Sequence, residues 1–169
     1  MAGSKDKTGD REVVHPIPPL FDRDCRVLIL GSFPSVRSRA EGFFYGHPQN
    51  RFWRVMSEVF SCPIPQSVAE KKAMLLENRI ALWDVIASCE IEGSADSTIG
   101  SVTPNDIGRI LGEAPIARVF VNGKTADKYY RKYILPALGV PATCLPSTSP
   151  ANAAWSVERL TEAWRQILS

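Results

Sequence analysis

Histidine is scarce in this chain, and its cysteines stand far apart. The two histidines are His15 and His47; the four cysteines, Cys25, Cys62, Cys89 and Cys144, form no CxxC pair. Zinc and iron–sulfur centres use tighter ligand spacings, so no metal site is expected, and the thiols read as reduced and mostly buried. No apolar run approaches the ~20 residues that cross a bilayer. Met1 to Asp10 is polar and lacks the apolar core of a signal peptide. The expectation is a cytoplasmic protein without a membrane partner, whose residues 1–15 form a flexible tail. Strong charge is missing too: a net +2 is too mild to mark a nucleic-acid-binding protein by itself. Asn122-Gly123-Lys124-Thr125 ends like a phosphate-binding P-loop, but the glycine required five positions before Gly123 is Arg118. That argues against a nucleoside triphosphatase. No lysine stands out as an amine nucleophile, and no motif calls for a cofactor.

What is present suits one globular domain, residues 16–169, since 44% of the 169 residues are hydrophobic. Strands are expected at Arg26–Leu30, Ile80–Ile86, Ala117–Val121 and Ala142–Leu145. The first and third are nearly continuous apolar runs, as in strands covered on both faces. Helices are expected at Asn50–Phe60, Gln66–Asn78, Asn105–Leu111, Lys124–Leu135 and Ala151–Leu168. Thr103-Pro104 and Ser149-Pro150 read as caps followed by first-turn prolines. Alternating strands and helices imply a three-layer α/β/α sandwich around a four-stranded parallel sheet.

Ligands of such folds bind beyond the carboxyl ends of the strands. There the first strand runs into Gly31-Ser32-Phe33-Pro34-Ser35, and about a dozen residues later comes Phe43-Phe44-Tyr45-Gly46-His47-Pro48-Gln49-Asn50-Arg51-Phe52-Trp53. Aromatic rings stack on bases and arginines meet phosphates, so the pattern fits a flat polar ring carried on a nucleic-acid backbone. Basic residues cluster at Arg37, Arg39, Arg51 and Arg54 and again at Lys124, Lys128, Arg131 and Lys132. They are either a phosphate-binding surface or ordinary solvated helix faces.

The Gly31–Ser35 turn resembles the first motif of the uracil-DNA glycosylase superfamily. Phe43 to Trp53 is similar to the mismatch-specific and hypoxanthine-excising branches, and Leu145-Pro146-Ser147-Thr148-Ser149-Pro150-Ala151-Asn152 resembles the C-terminal DNA-binding loop. The resemblance runs from about Cys25 to the C-terminus and is closest to the hypoxanthine-DNA (deoxyinosine) glycosylases. It implies a uracil-DNA glycosylase-like fold and a monofunctional, monomeric hydrolase of N-glycosyl bonds in base-excision repair. Its substrate would be double- or single-stranded DNA containing a deaminated base. One departure bears on the substrate: where many members carry an Asp or Asn that handles water, this chain has Phe33, and the water-orienting role passes to Asn50, through its carbonyl oxygen. Uracil excision is therefore in question.

The resemblance assigns the base pocket to Tyr45, Asp84, Phe33 and Ser32. Tyr45 would stack on the flipped base, or else pack as a core aromatic beside Phe43 and Phe44. Asp84 would accept the ring N–H of hypoxanthine, which adenine lacks, or else cap a turn. Asn50 also suits a helix cap. DNA contacts fall to Ser35, Arg51, Lys124, Ser147, Thr148 and Ser149, while His47 is expected to shape its turn. The wedge that relatives insert into the duplex has no large counterpart among Thr148, Pro150 and Ala151. The rivals are a uracil or mismatch glycosylase of this fold, a non-catalytic nucleic-acid-binding module and a nucleoside hydrolase.

Overall fold

The four expected apolar runs become the strands of one parallel sheet. In the computed structural model, which describes residues 11–93 and 95–168, the strands in chain order are β1 (Arg11–Val14), β2 (Val27–Gly31), β3 (Ile80–Asp84), β4 (Ile86–Ile91), β5 (Gly100–Pro104), β6 (Arg118–Asn122) and β7 (Thr143–Leu145). The parallel sheet has the order β3-β2-β6-β7. Its central strands carry Leu28, Ile29, Leu30, Phe120 and Val121, all fully buried. Residues buried on both faces leave no polar alternation, which is why these strands read as unbroken apolar runs. A second sheet, antiparallel and ordered β1-β4-β5, has no counterpart in the sequence reading.

Helices flank the parallel sheet: α1 (Val36–Glu41), α2 (Phe52–Phe60), α3 (Val68–Glu77), α4 (Ile107–Glu113), α5 (Lys124–Tyr129), α6 (Leu135–Leu138) and α7 (Val157–Trp164). A π-helical stretch, Tyr130–Ile134, joins α5 to α6. In α2, Phe52, Val55, Met56 and Val59 recur at helical spacing and are buried. The face they form meets α7, where Phe52 and Trp164 pack edge to face with centroids 5.9 Å apart.

Several boundaries differ from expectation, each for a local reason. The Ile80–Ile86 run divides at Val85, where the chain leaves the parallel sheet for the antiparallel one. Thr103 and Pro104 do not open a helix; they end β5, an edge strand, where a residue without an N–H is tolerated. Helix α7 starts at Val157 rather than Ala151, capped by Ser156, whose hydroxyl accepts from the Arg159 N–H at 3.2 Å. Ser149-Pro150 therefore lies in a loop. Arg11–Val14 pairs with β4, and the His15 side chain is buried, so the ordered chain reaches into the stretch expected to be a tail. Residues 1–10 of that tail lie outside the described residues. Cys25 and Cys89 are buried, whereas Cys62 is half-buried and Cys144 exposed, so burial holds for half of the thiols. Among the described residues, no helix is long and apolar enough to cross a membrane.

Trp164 is fully buried, and its indole N–H donates to the Pro146 carbonyl at 2.9 Å. It joins α7 to the loop that follows β7. Replacing Trp164 with Ala is expected to cost about 3–5 kcal/mol, read as a lower denaturant midpoint at unchanged slope.

Candidate active site at the carboxyl ends of the parallel strands

Strand register sets Gly31 beside Asp84, and Asn122 ends β6 next to them. The three positions sit at the carboxyl end of the sheet, at the floor of a cavity of about 280 Å³. Gly31 has to be small: a Cβ there would lie 2.3 Å from Asp84 Oδ1 and 2.9 Å from Tyr45 Oη. The cavity gathers Ser32, Phe33, Ser35, Tyr45, Asn50, Asp84, Ser147, Thr148 and Ser149 from the expected site, and His47 borders it as well. Of the remaining two, Lys124 borders an adjoining groove and Arg51 lines neither.

A buried amide network fixes the wall. Asn122 Nδ2 donates to Tyr45 Oη at 3.1 Å and to Thr148 Oγ1 at 3.0 Å, while its Oδ1 accepts from the Thr148 N–H at 3.1 Å. Thr148 Oγ1 donates onward to Asn50 Oδ1 at 2.9 Å, and that same oxygen accepts from the Phe52 N–H at 2.9 Å. Asn50 thus caps α2 while lining the cavity. Both lone pairs of its carbonyl oxygen are taken, so the oxygen expected to hold a water is occupied. The Nδ2 amino group has no protein partner among the described residues, and it is the part of the side chain left for a ligand.

Asp84 is buried, 3% exposed, yet only one of its oxygens is paired within the protein. Oδ2 accepts from His15 Nε2 at 2.7 Å. Oδ1 has no hydrogen-bond partner among the described residues and is left to the cavity that Asp84 lines. Tyr45 stacks on Phe52 with centroids 4.2 Å apart and is half-buried, so its ring also borders the cavity. Its backbone is left-handed, φ +53°, a conformation that costs a bulky residue energy. Burial first and then the Asp84 charge push its phenol well above the usual range, against a hydrogen bond from Asn122 that lowers it. The phenol therefore stays protonated and keeps an O–H to donate. Phe33 is buried edge-on to the His15 ring at 5.9 Å, leaving no polar group at that position.

Other expected residues are occupied by local structure. Ser35 caps α1, accepting from the Ser38 N–H at 3.1 Å and donating to Ser38 Oγ at 3.0 Å, which withdraws it from DNA. Thr148 is fully buried within the amide network, so it is a strut and not a phosphate contact. Arg51 donates to the carbonyls of Ser149, at 2.9 Å, Asn152, at 3.0 Å, and Trp155, and its Nε is buried without a partner. Its guanidinium holds the C-terminal loop instead of a phosphate. Ser147 and Ser149 accept from the Ser149 and Ala151 N–H groups, leaving both hydroxyl protons free to donate. Lys124 is exposed at the start of α5. His47 does shape its turn, accepting from the Gln49 N–H at 3.1 Å.

Three residues of the site escaped the sequence reading. His15 lies 69 positions from Asp84, and no local pattern ties them. Asn122 entered the sequence reading only as the first residue of the Asn122–Thr125 turn that fails as a P-loop. Asp96 comes from the β4–β5 connection and accepts from Ser32 Oγ at 3.4 Å. Although the residue is exposed at the rim, partial burial of its carboxyl raises it above the usual range, against hydrogen bonds from Thr125 and Ser32. Among the described residues no cluster of His, Cys, Asp and Glu could hold a metal.

Comparison with known proteins bears on this arrangement. The family described as the uracil DNA glycosylase superfamily matches residues 18–168. A hypoxanthine DNA glycosylase of Methanosarcina acetivorans is 36% identical over 152 residues, covering 89% of this chain and 94% of that protein. One from Methanosarcina barkeri is 35% identical over 138 residues, covering 80% and 85%. The solution NMR structure of a candidate uracil DNA glycosylase from Methanosarcina acetivorans superposes with a TM-score of 0.75 at 32% identity, covering 90% of this chain and 97% of that one.

Removing the Arg51 fork takes a donor from three carbonyls, of which those of Ser149 and Asn152 keep a backbone N–H. Arg51→Met is expected to destabilise the protein by about 2–4 kcal/mol and to speed hydrogen exchange selectively at amides 149–155.

Proposed function

Since the chain belongs to the uracil DNA glycosylase superfamily, we propose that it excises hypoxanthine from deoxyinosine-containing DNA, leaving an abasic site. The observation that carries this reading is the open Asp84 Oδ1 on the cavity floor. A carboxylate oxygen accepts the ring N–H of hypoxanthine and repels the lone pair that adenine presents at the same position. The two relatives named as hypoxanthine DNA glycosylases support the same substrate.

The nucleotide leaves the stack at a cost of a few kcal/mol, least for a base already mispaired. Tyr45, braced from behind by Phe52, stacks on it, a contact that contributes about 1–3 kcal/mol. The C1′–N9 bond then breaks with its electron pair going to the base, and a water oxygen bonds to C1′; its proton passes to solvent water, and the released base takes one up from solvent to leave as neutral hypoxanthine. Asn50 Nδ2 positions that water by donating to it. An amide is a poor base, so the contribution is one of placement. That suffices when C1′ already carries oxocarbenium character beside anionic phosphates. Ser147 and Ser149 donate to a phosphate, and Lys124 supplies charge along the adjoining groove. The enzyme acts as a monomer in the cytoplasm, on double- or single-stranded DNA.

A second reading shares every contact. Uracil also presents a ring N–H that Asp84 accepts equally well, so the carboxylate does not by itself reject it. What weighs against uracil is Phe33, which supplies no polar group to a water.

Treating an inosine-containing oligonucleotide with the protein and then alkali is expected to break the strand at the inosine, faster than at uracil opposite guanine. Asn50→Ala should lower the single-turnover rate by about 10²–10³-fold. Loss of the α2 cap alone costs only about 1 kcal/mol, so the melting temperature separates the two effects. No alkali-labile break in any substrate would refute the glycosylase reading; faster uracil cleavage would reverse the substrate order. Lys124→Ala should weaken binding to all sequences alike and reduce the slope of log affinity against log salt by about one.

A further inference from the structure

We propose that His15 is a positioning residue that holds the Asp84 carboxylate turned for reading the base edge, and thereby sets the preference for hypoxanthine over adenine. The inference rests on the reading of Asp84 given above and adds a residue to it. His15 enters from outside the parallel sheet. It follows β1, and its N–H donates to the Ala87 carbonyl on β4 at 2.7 Å, beside the point where the chain leaves Asp84. Its side chain is 2% exposed.

The ring's protonation follows from its partners. The Ile17 N–H donates to Nδ1 at 3.1 Å, which requires a lone pair there. The proton therefore sits on Nε2, and Nε2–H donates to Asp84 Oδ2 at 2.7 Å. A neutral imidazole fits this description, since an imidazolium would turn a hydrogen against the Ile17 N–H. Phe33 and Trp83 meet the ring edge to face at 5.9 and 6.3 Å, and Phe44 lies tilted at 6.2 Å. The ring is thus fenced by rings and tied at both nitrogens.

Consequences for Asp84 follow from the same geometry. With Oδ2 held, the carboxylate keeps Oδ1 toward the cavity. Tyr45, His47 and Asp96 are the other ionisable groups that line this cavity, and none of them donates to Asp84 among the described residues. His15 is therefore its side-chain donor. Without it no side chain among the described residues fixes the carboxylate's rotation, so its acceptor is no longer held against the base edge. A carboxylate free to turn loses both its hold on the hypoxanthine N–H and its repulsion of adenine's ring lone pair. The imidazole secures discrimination without touching the base.

The test compares single-turnover excision of hypoxanthine and of adenine, and binding of each duplex, across three variants of the full chain. His15→Phe keeps a ring and removes the donor; it is expected to slow hypoxanthine excision about 10–100-fold and to narrow the hypoxanthine-to-adenine ratio in both readouts. His15→Gln restores an N–H near the Nε2 position and should recover most of the ratio. Asp84→Asn should collapse the ratio. If Asp84→Asn collapses it while His15→Phe leaves it unchanged, the role of His15 is overturned and the reading of Asp84 stands. If Asp84→Asn leaves it unchanged, the reading of Asp84 falls and this inference with it. An equal loss on both bases in His15→Phe that His15→Gln does not rescue also overturns it, as a merely structural role. Should His15→Phe not fold, nitrogen NMR of the wild-type ring decides: a neutral Nε2–H tautomer whose signal moves on binding inosine DNA is expected, and an Nδ1–H tautomer or an imidazolium overturns the inference.

Discussion

The side-chain amide of Asn122 is the constraint on which the cavity depends. It ends a buried strand, and it meets three groups from distant parts of the chain: the Tyr45 phenol, the Thr148 hydroxyl and the Thr148 N–H. Each is buried or nearly so, and each would cost about 1–3 kcal/mol if stripped of its partner. Satisfying them together fixes the loop after β7 against the aromatic segment before α2. The chain of donors continues through Thr148 to Asn50. One amide thus sets the position of another that is separated from it by 72 residues of sequence. Buried networks of this kind contribute little net stability but strongly penalise alternative arrangements.

The cavity wall combines two kinds of rigidity. Its apolar side is made by the rings of Phe33, Phe44 and Tyr45, with Phe52 stacked behind Tyr45. Its polar side consists of groups held by only some of their atoms: Asp84 by one oxygen, Asn50 by its oxygen and not its nitrogen, Tyr45 as an acceptor and not as a donor. What each lacks is directed to the cavity. A site of this sort is organised before its ligand arrives, so little reorganisation is required on binding. The left-handed backbone at Tyr45 is consistent with that, since strain persists only where surroundings determine the conformation.

Much of this was legible in the sequence, and the limits have physical causes. Strands β2, β3 and β6 announced themselves because both of their faces are buried. Ser32, Phe33, Tyr45 and Asn50 fell together because they lie in the segment after one strand end, whereas Asp84 was assigned by the family resemblance. The antiparallel sheet was missed because its strands carry no unbroken apolar run: β4 mixes buried and half-buried positions without a regular period, and β5 alternates between exposed and half-buried positions and ends in Pro104. Its register also shifts twice against β4. Arg51 illustrates another limit. An arginine beside aromatics reads as a phosphate ligand, but a guanidinium equally satisfies a turn of three carbonyls, and only three-dimensional proximity decides. His15 could not be seen at all, since a lone histidine in a polar terminal stretch carries no periodic signal.

Phe33 poses the remaining chemical question, and the geometry bears on it. A glycosylase that lacks a carboxylate at this turn cannot strip a proton from water early in the reaction. Were bond formation to water rate-limiting, such a site would be crippled. If the base departs first, the water meets an electrophile that needs almost no activation, and placement is enough. The demand then shifts to the leaving base, whose departing charge must be met by hydrogen bonds. The Tyr45 O–H, far from ionisation, and the Asn50 amino group that places the water are both donors, and neither is a base. A lining whose open groups beside the carboxylates of Asp84 and Asp96 are donors suits the reception of a departing electron pair better than the activation of a nucleophile. The replacement of a water-handling residue by Phe33 is in this light consistent with the rest of the pocket, because a ring there packs edge-on against the His15 that holds Asp84.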